Sequence, residues 1–133
     1  MTGSRVLLSW LVLAALGFSN GALRQLGYAR LLPARAANQI SAVTLIALIA
    51  VAVLLITRAW RLSSPGQAWR VGAAWLALTV LFETGMGVVA GEPWARILGA
   101  YAIWEGQLWP LVLAFVLVAP RLALALHAAG TRA

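Results

Sequence analysis

Four apolar stretches, each close to the roughly 20 residues that cross a bilayer core, occupy most of this 133-residue chain. They run from Val6 to Leu23, Gln39 to Thr57, Val71 to Ala90 and Leu108 to Leu126. The residues are 63% hydrophobic and 10% charged, and the mean hydropathy is +0.92. A soluble fold of this size has too little interior to hide that much apolar surface, so lipid is the expected solvent. Backbone groups in lipid must pair within the segment that carries them. The expected fold is therefore an all-α integral membrane protein, a bundle of four transmembrane helices forming one domain over residues 1–133.

Local signals place the helix ends. Ser64-Pro65-Gly66-Gln67 reads as an N-cap serine, a first-turn proline and a glutamine that reaches back, so the third helix should start there. Gly91 can end it. Pro93 can start a short interfacial helix between spans three and four, with Trp94, Leu98 and Tyr101 on one face. Pro33 lets the second helix begin before its apolar part. Pro120 frees the carbonyl of Val116, so a kink or early exit is expected there. The glycines of Glu83-Thr84-Gly85-Met86-Gly87-Val88-Val89-Ala90-Gly91 suggest close approach to another helix or a ligand, or an unwound outer segment over a cavity.

All ten basic residues are arginines, and Glu83, Glu92 and Glu105 are the only acids. With four spans, Arg5, Arg58, Arg61, Arg70, Arg121 and Arg132 share the side of both termini, and Arg24, Arg30, Arg35 and Arg96 lie opposite. That bias orients both termini to the cytoplasm. Trp60 and Trp69 fall at one interface, and Trp94, Trp104 and Trp109 at the other, as in an aromatic belt. A rival reading takes Met1–Ser19 as a signal peptide, leaving three helices. The run is long enough to span and its start is weakly basic, so a span is preferred. Arginines on both faces suit anionic headgroups, and no nucleic-acid partner is expected. Cysteine is absent and His127 is the one histidine, which removes thiol chemistry and bis-histidine haem; no cofactor or metal is expected.

Every helix puts its polar side chains in the same, outer half of the membrane. The first carries Ser19, Asn20 and Arg24 there, and the second Asn38, Gln39, Ser41 and Thr44. The third carries Glu83 and Thr84, and the fourth begins at Glu105 and Gln107. A charge deep in a span costs about 2.5–3.5 kcal/mol on insertion scales, so Glu83 should face the interior and have a partner. Arg24 lies at matching depth, and the pair is expected to meet there. Asn20, Arg24, Gln39, Glu83 and Glu105 together form the expected ligand site, with no catalytic residue assigned.

Asn20-Gly21-Ala22-Leu23-Arg24, Gln39-Ile40-Ser41 and Phe82-Glu83-Thr84-Gly85-Met86-Gly87 together resemble a set of small four-span bacterial proteins known mainly as hypothetical open reading frames. The resemblance covers most of the chain and implies a bacterial inner membrane, without an activity. Small multidrug-resistance transporters are similar in size, but their essential glutamate lies in the first helix, which here has no acid. Gly21-Ala22-Leu23-Arg24 is similar to the end of the first helix in dual-topology fluoride channels. Its spacing is one residue shorter, and their asparagine motif is absent from Val43–Ile56.

Three functions are weighed. One is an outward-facing site that binds or transports a small polar or amphipathic molecule, with transport requiring a homo-oligomer. A second is a structural or accessory subunit of a larger membrane complex, in which a Glu–Arg clamp merely fixes helix register. A third, an intramembrane enzyme on a lipid with Glu83 and Glu105 as acid and base, lacks a supporting serine–histidine or metal constellation. The first is preferred.

Overall fold

The computed structural model describes residues 1–132, of which the side chains of 131 and 132 are left aside. Four helices are long and apolar enough to cross a membrane: α1 (Gly3–Leu26), α2 (Ala34–Ala59), α3 (Pro65–Val89) and α5 (Trp109–Arg132). Each outruns its apolar stretch at one end or both. The six-residue α4 (Trp94–Gly99) lies between α3 and α5, followed by a single 3-10 turn over Ile103–Glu105. The chain is thus an all-α bundle of membrane-spanning helices.

The ends obey the local chemistry. Ser64 accepts a hydrogen bond from the Gln67 amide at 3.1 Å. The Gln67 side-chain oxygen in turn accepts from the Ser63 amide at 2.7 Å, one residue before the cap. At the other end Gly91 takes φ +75°, the left-handed conformation that suits glycine. Glu92 then donates to the Gly87 carbonyl and Gly91 to that of Val88, a Schellman closure. Helix α3 therefore stays wound through Gly85 and Gly87, and the unwound outer segment does not occur. Nor does the fourth span end early, since α5 continues through Pro120, whose side chain is fully buried.

Neighbours run in a ring, α1 beside α2, α2 beside α5, α5 beside α3 and α3 beside α1. Helices α2 and α3, joined by five residues, consequently sit across the bundle diagonal. Hydrogen bonds fix the directions. Trp75 Nε1 donates to the Val6 carbonyl at 3.2 Å, and Trp10 Nε1 to Thr79 Oγ1 at 3.1 Å. Both partners advance together along the chain, so α1 and α3 are parallel. These bonds also give two buried indoles the acceptors they need away from water. Trp10 meets Phe82 edge-to-face, with centroids 5.6 Å apart.

The core forms where the four helices converge. Leu45, Ile49, Val53 and Thr57 line one i, i+4 ridge of α2, and Val112, Val116, Ala119 and Ala123 answer from α5. Trp75 has no exposure at all. The tightest approach is between α3 and α5 at Gly72, where a Cβ would fall on the Leu117 carbonyl oxygen. Lipid tails are as apolar as leucine, so helices associate through such packing and through polar bonds. Outward leucines and valines (Leu26, Leu81 and Val89 among them) are highly exposed, as lipid-facing side chains can be.

The two ends of the bundle differ. At the end holding the N-terminus and the α2–α3 turn, Arg5 lies 5.3 Å above the Trp60 ring, and Gln67 donates to the Met1 carbonyl at 3.4 Å. At the opposite end α4 lies over α3. Its Ile97 side chain fills the space that a Cβ on Gly87 would need, while Trp94 and Leu98 point away and are exposed.

Candidate functional site

The end opposite the termini contains a cleft of about 300 Å³ between α1, α2, α3 and the start of α5. Its polar walls are Asn20 and Arg24 from α1, Asn38 and Ser41 from α2, Glu83 from α3, and Gln107. The α1 wall is kept open by Gly17 and Gly21, one turn apart on the Asn20–Arg24 face. Apart from the neighbouring backbone of α1, no protein atom lies within 4 Å of where a Gly17 Cβ would stand, so the absent side chain leaves room in the cleft.

Asn20 and Ser41 form the rigid side. Asn20 is only 5% exposed, and its Nδ2 donates to the Ser41 carbonyl at 2.9 Å and to Ser41 Oγ at 2.8 Å. Arg24 Nη1 donates to the same Oγ at 3.2 Å. Interhelical bonds of this kind contribute on average about 0.6 kcal/mol and at most about 1.7 kcal/mol in a bilayer. They hold α1 on α2 and aim the guanidinium along the cleft wall.

The expected Arg24–Glu83 ion pair is not formed. Arg24 spends a donor on Ser41, and the one salt bridge among the described residues joins Arg96 to Glu92 at 3.8 Å, one turn apart. Glu83 makes no hydrogen bond or salt bridge among the described residues, although the Arg24 charge still acts on it through space. The residue as a whole is exposed and borders the cleft, and such access relieves the cost of placing a charge in a span.

Two other expected site residues lie elsewhere. Gln39 turns to the α4–α5 connection and donates to the Gly106 carbonyl at 2.9 Å. Glu105 stands exposed in the 3-10 turn and does not line the cleft. The left-handed Gly106 (φ +87°) redirects the chain immediately after it, so Glu105 and Gln107 part company. Asn38, Gln107 and Trp109 take their places. Asn38 and Gln107 were visible as polar residues at the right depth, but nothing in the sequence separated them from Gln39 and Glu105. Trp109 reads as a belt tryptophan and serves as a cleft wall.

Glu83 stands where three spaces meet. Beneath the polar cleft lies an apolar crevice of about 100 Å³, walled by Leu13, Phe18, Ile49, Phe82 and Val112 among others. Gly17, Leu45, Glu83 and Trp109 border both. A third groove of about 400 Å³ runs under α4, between Gln25 and Glu92, Arg96 and Tyr101, and again reaches Glu83 and Trp109. The hydrogen bonds joining α1 to α3 all lie towards the terminal end, at Gln67, Trp75 and Thr79. Towards the cleft, Phe18 is 71% exposed and Met86 47%, so the two helices present an apolar rim there.

No family model, curated protein or solved structure matches the chain.

Proposed function

We propose that this is a small four-span protein of the bacterial inner membrane, with both termini cytoplasmic, that binds or passes an amphipathic molecule through its outward cleft. One observation carries the reading. A carboxylate with no hydrogen bond or salt bridge among the described residues and an arginine line the same polar cup, and an apolar crevice opens directly beneath them. A charged residue inside a span marks a functional site by default, and here its surroundings supply a shape as well. Arg24 would meet an anionic group and Glu83 a hydrogen-bond donor or cation. The crevice between Leu13, Phe18 and Phe82 would take an apolar tail, entering past the α1–α3 rim. Four helices make a thin wall, so passage across the membrane would require a homo-oligomer.

The absence of cysteine makes orientation and cleft access directly measurable, since any introduced thiol is unique. Asn38→Cys places it in the cleft and Ser63→Cys at the α2–α3 turn. A membrane-impermeant maleimide should modify the first variant in intact cells and the second only after permeabilisation. The reverse pattern would overturn the orientation, and protection of the first variant in both conditions would overturn the open cleft.

A further inference from the structure

The end of the bundle holding both termini has a second cavity, larger than the outward cleft, at about 460 Å³. Arg58 and Arg61 line it from the end of α2 and the turn beyond, and His127 and Gly130 face them from α5. Thr57 fixes the histidine. The threonine hydroxyl lies 2.7 Å from the Val53 carbonyl and shares a 2.9 Å hydrogen bond with His127 Nε2. The ring is thereby a tethered wall beside the two arginines. No acidic side chain balances them, because Glu83, Glu92 and Glu105 all belong to the other half of the chain's topology. Arg5, on the same side, is differently placed, stacked on Trp60.

The cavity does not stand alone. Leu126 borders it and also borders an apolar groove of about 160 Å³ between α2 and α5, lined by Val53, Leu54, Phe115 and Leu122. A basic pocket thus sits at the membrane surface, above an apolar track that descends between two parallel helices.

We infer that this pocket and groove hold one anionic phospholipid of the leaflet on the side of the termini, its phosphate on Arg58 and Arg61 and an acyl chain along Phe115 and Leu122. Guanidinium groups bind phosphate oxygens through charge-assisted, often bidentate hydrogen bonds. Both headgroup types carry a phosphate, but two arginines with no acidic side chain beside them disfavour the cation of a zwitterionic head and so favour an anionic one. The site is separate from the outward cleft and stands whether or not that cleft binds anything.

The test is native mass spectrometry of the full chain, purified in mild detergent and offered equal amounts of phosphatidylglycerol and phosphatidylcholine with identical acyl chains. The wild-type protein should retain the anionic lipid with roughly tenfold preference. The Arg58→Gln, Arg61→Gln double variant should lose that preference, and the Arg70→Gln variant, altered on the same side outside the pocket, should keep it. Both arginines are exposed, so the double variant should fold, which its helical circular dichroism will verify. Equal retention of the two lipids, or a preference unchanged in the double variant, would overturn the inference. So would displacement of the lipid by millimolar inorganic phosphate, since a free anion would then suffice and the groove would play no part.

Discussion

Replacing Gly72 by alanine should lower bundle stability by about 3 kcal/mol, the upper end of the cost of overpacking a well-filled core. The added methyl would coincide with the Leu117 carbonyl oxygen, and the carbonyl carbon and Cα of Leu117 lie 2.9 and 3.3 Å from the same point. These are backbone atoms, so no rotamer change clears the space and α3 must move off α5. That contact is the most extensive in the bundle, and it carries Trp75, whose indole also ties α3 to α1. Gly85 provides the opposite case on the same helix. Nothing lies within 4 Å of a Cβ there, so Gly85→Ala should stabilise by up to about 1 kcal/mol through helix propensity alone. Reversible unfolding in mixed detergent micelles measures both. Equal effects at the two positions would contradict the packing of α3 on α5.

The second large effect is expected at Glu83, on binding rather than on folding. Glu83→Gln should weaken the cleft's ligand roughly ten- to hundredfold, the range for losing a hydrogen bond to a charged group. The same change should leave bundle stability unaltered or slightly raised. The carboxylate has no protein bond to lose, and the neutral amide is cheaper to hold in a span. This pairing of outcomes separates the two roles an acid inside a span can have. A register clamp would lose stability on neutralisation, because Arg24 would be left without its counter-charge. With no ion pair between them, Arg24 depends on Glu83 only through the weaker attraction of two separated charges.

Much of the fold is legible in the chain because the bilayer permits so few solutions. Length and hydropathy place the spans, Ser64-Pro65 and Gly91 set both ends of α3, and alternation of direction brings Asn20, Arg24, Asn38, Ser41 and Glu83 to one end. The order of neighbours around the ring is not legible. In lipid every face of a helix can be apolar, so hydropathy does not say which face turns inward, and α2 and α3 lie diagonally despite the short turn between them. For the same reason Gly72 passes unnoticed among the flanking alanines and tryptophans, while the more conspicuous Gly85 and Gly87 meet open space and a side chain from α4.

The candidate site is legible by depth but not by direction. Asn20, Arg24 and Glu83 share the cleft because helical spacing and span position suffice to bring them there. Gln39 lies one residue from Asn38 and two from Ser41, both of which face the cleft, and its side chain turns to the Gly106 carbonyl instead. Glu105 is set aside by a 3-10 turn and a left-handed glycine, irregular backbone for which no periodicity exists. Trp10 and Trp75 could be read as packing residues, yet their interhelical hydrogen bonds depend on which helices are neighbours.

The cleft at the end opposite the termini is the centre of this account, and filling it sterically tests it without altering any charge. Gly17 borders both the polar cup and the apolar crevice, and a side chain there meets no protein atom at its Cβ. Native mass spectrometry of the protein extracted from its membrane in mild detergent should show one defined amphipathic adduct per chain that the Arg58→Gln, Arg61→Gln double variant retains, apart from any phospholipid held at those arginines. Gly17→Phe should abolish that adduct while the helical signal and unfolding midpoint stay at wild-type values. An adduct retained at the wild-type level in Gly17→Phe, or a wild-type protein recovered only in fixed ratio with other polypeptides and carrying no adduct, would contradict it.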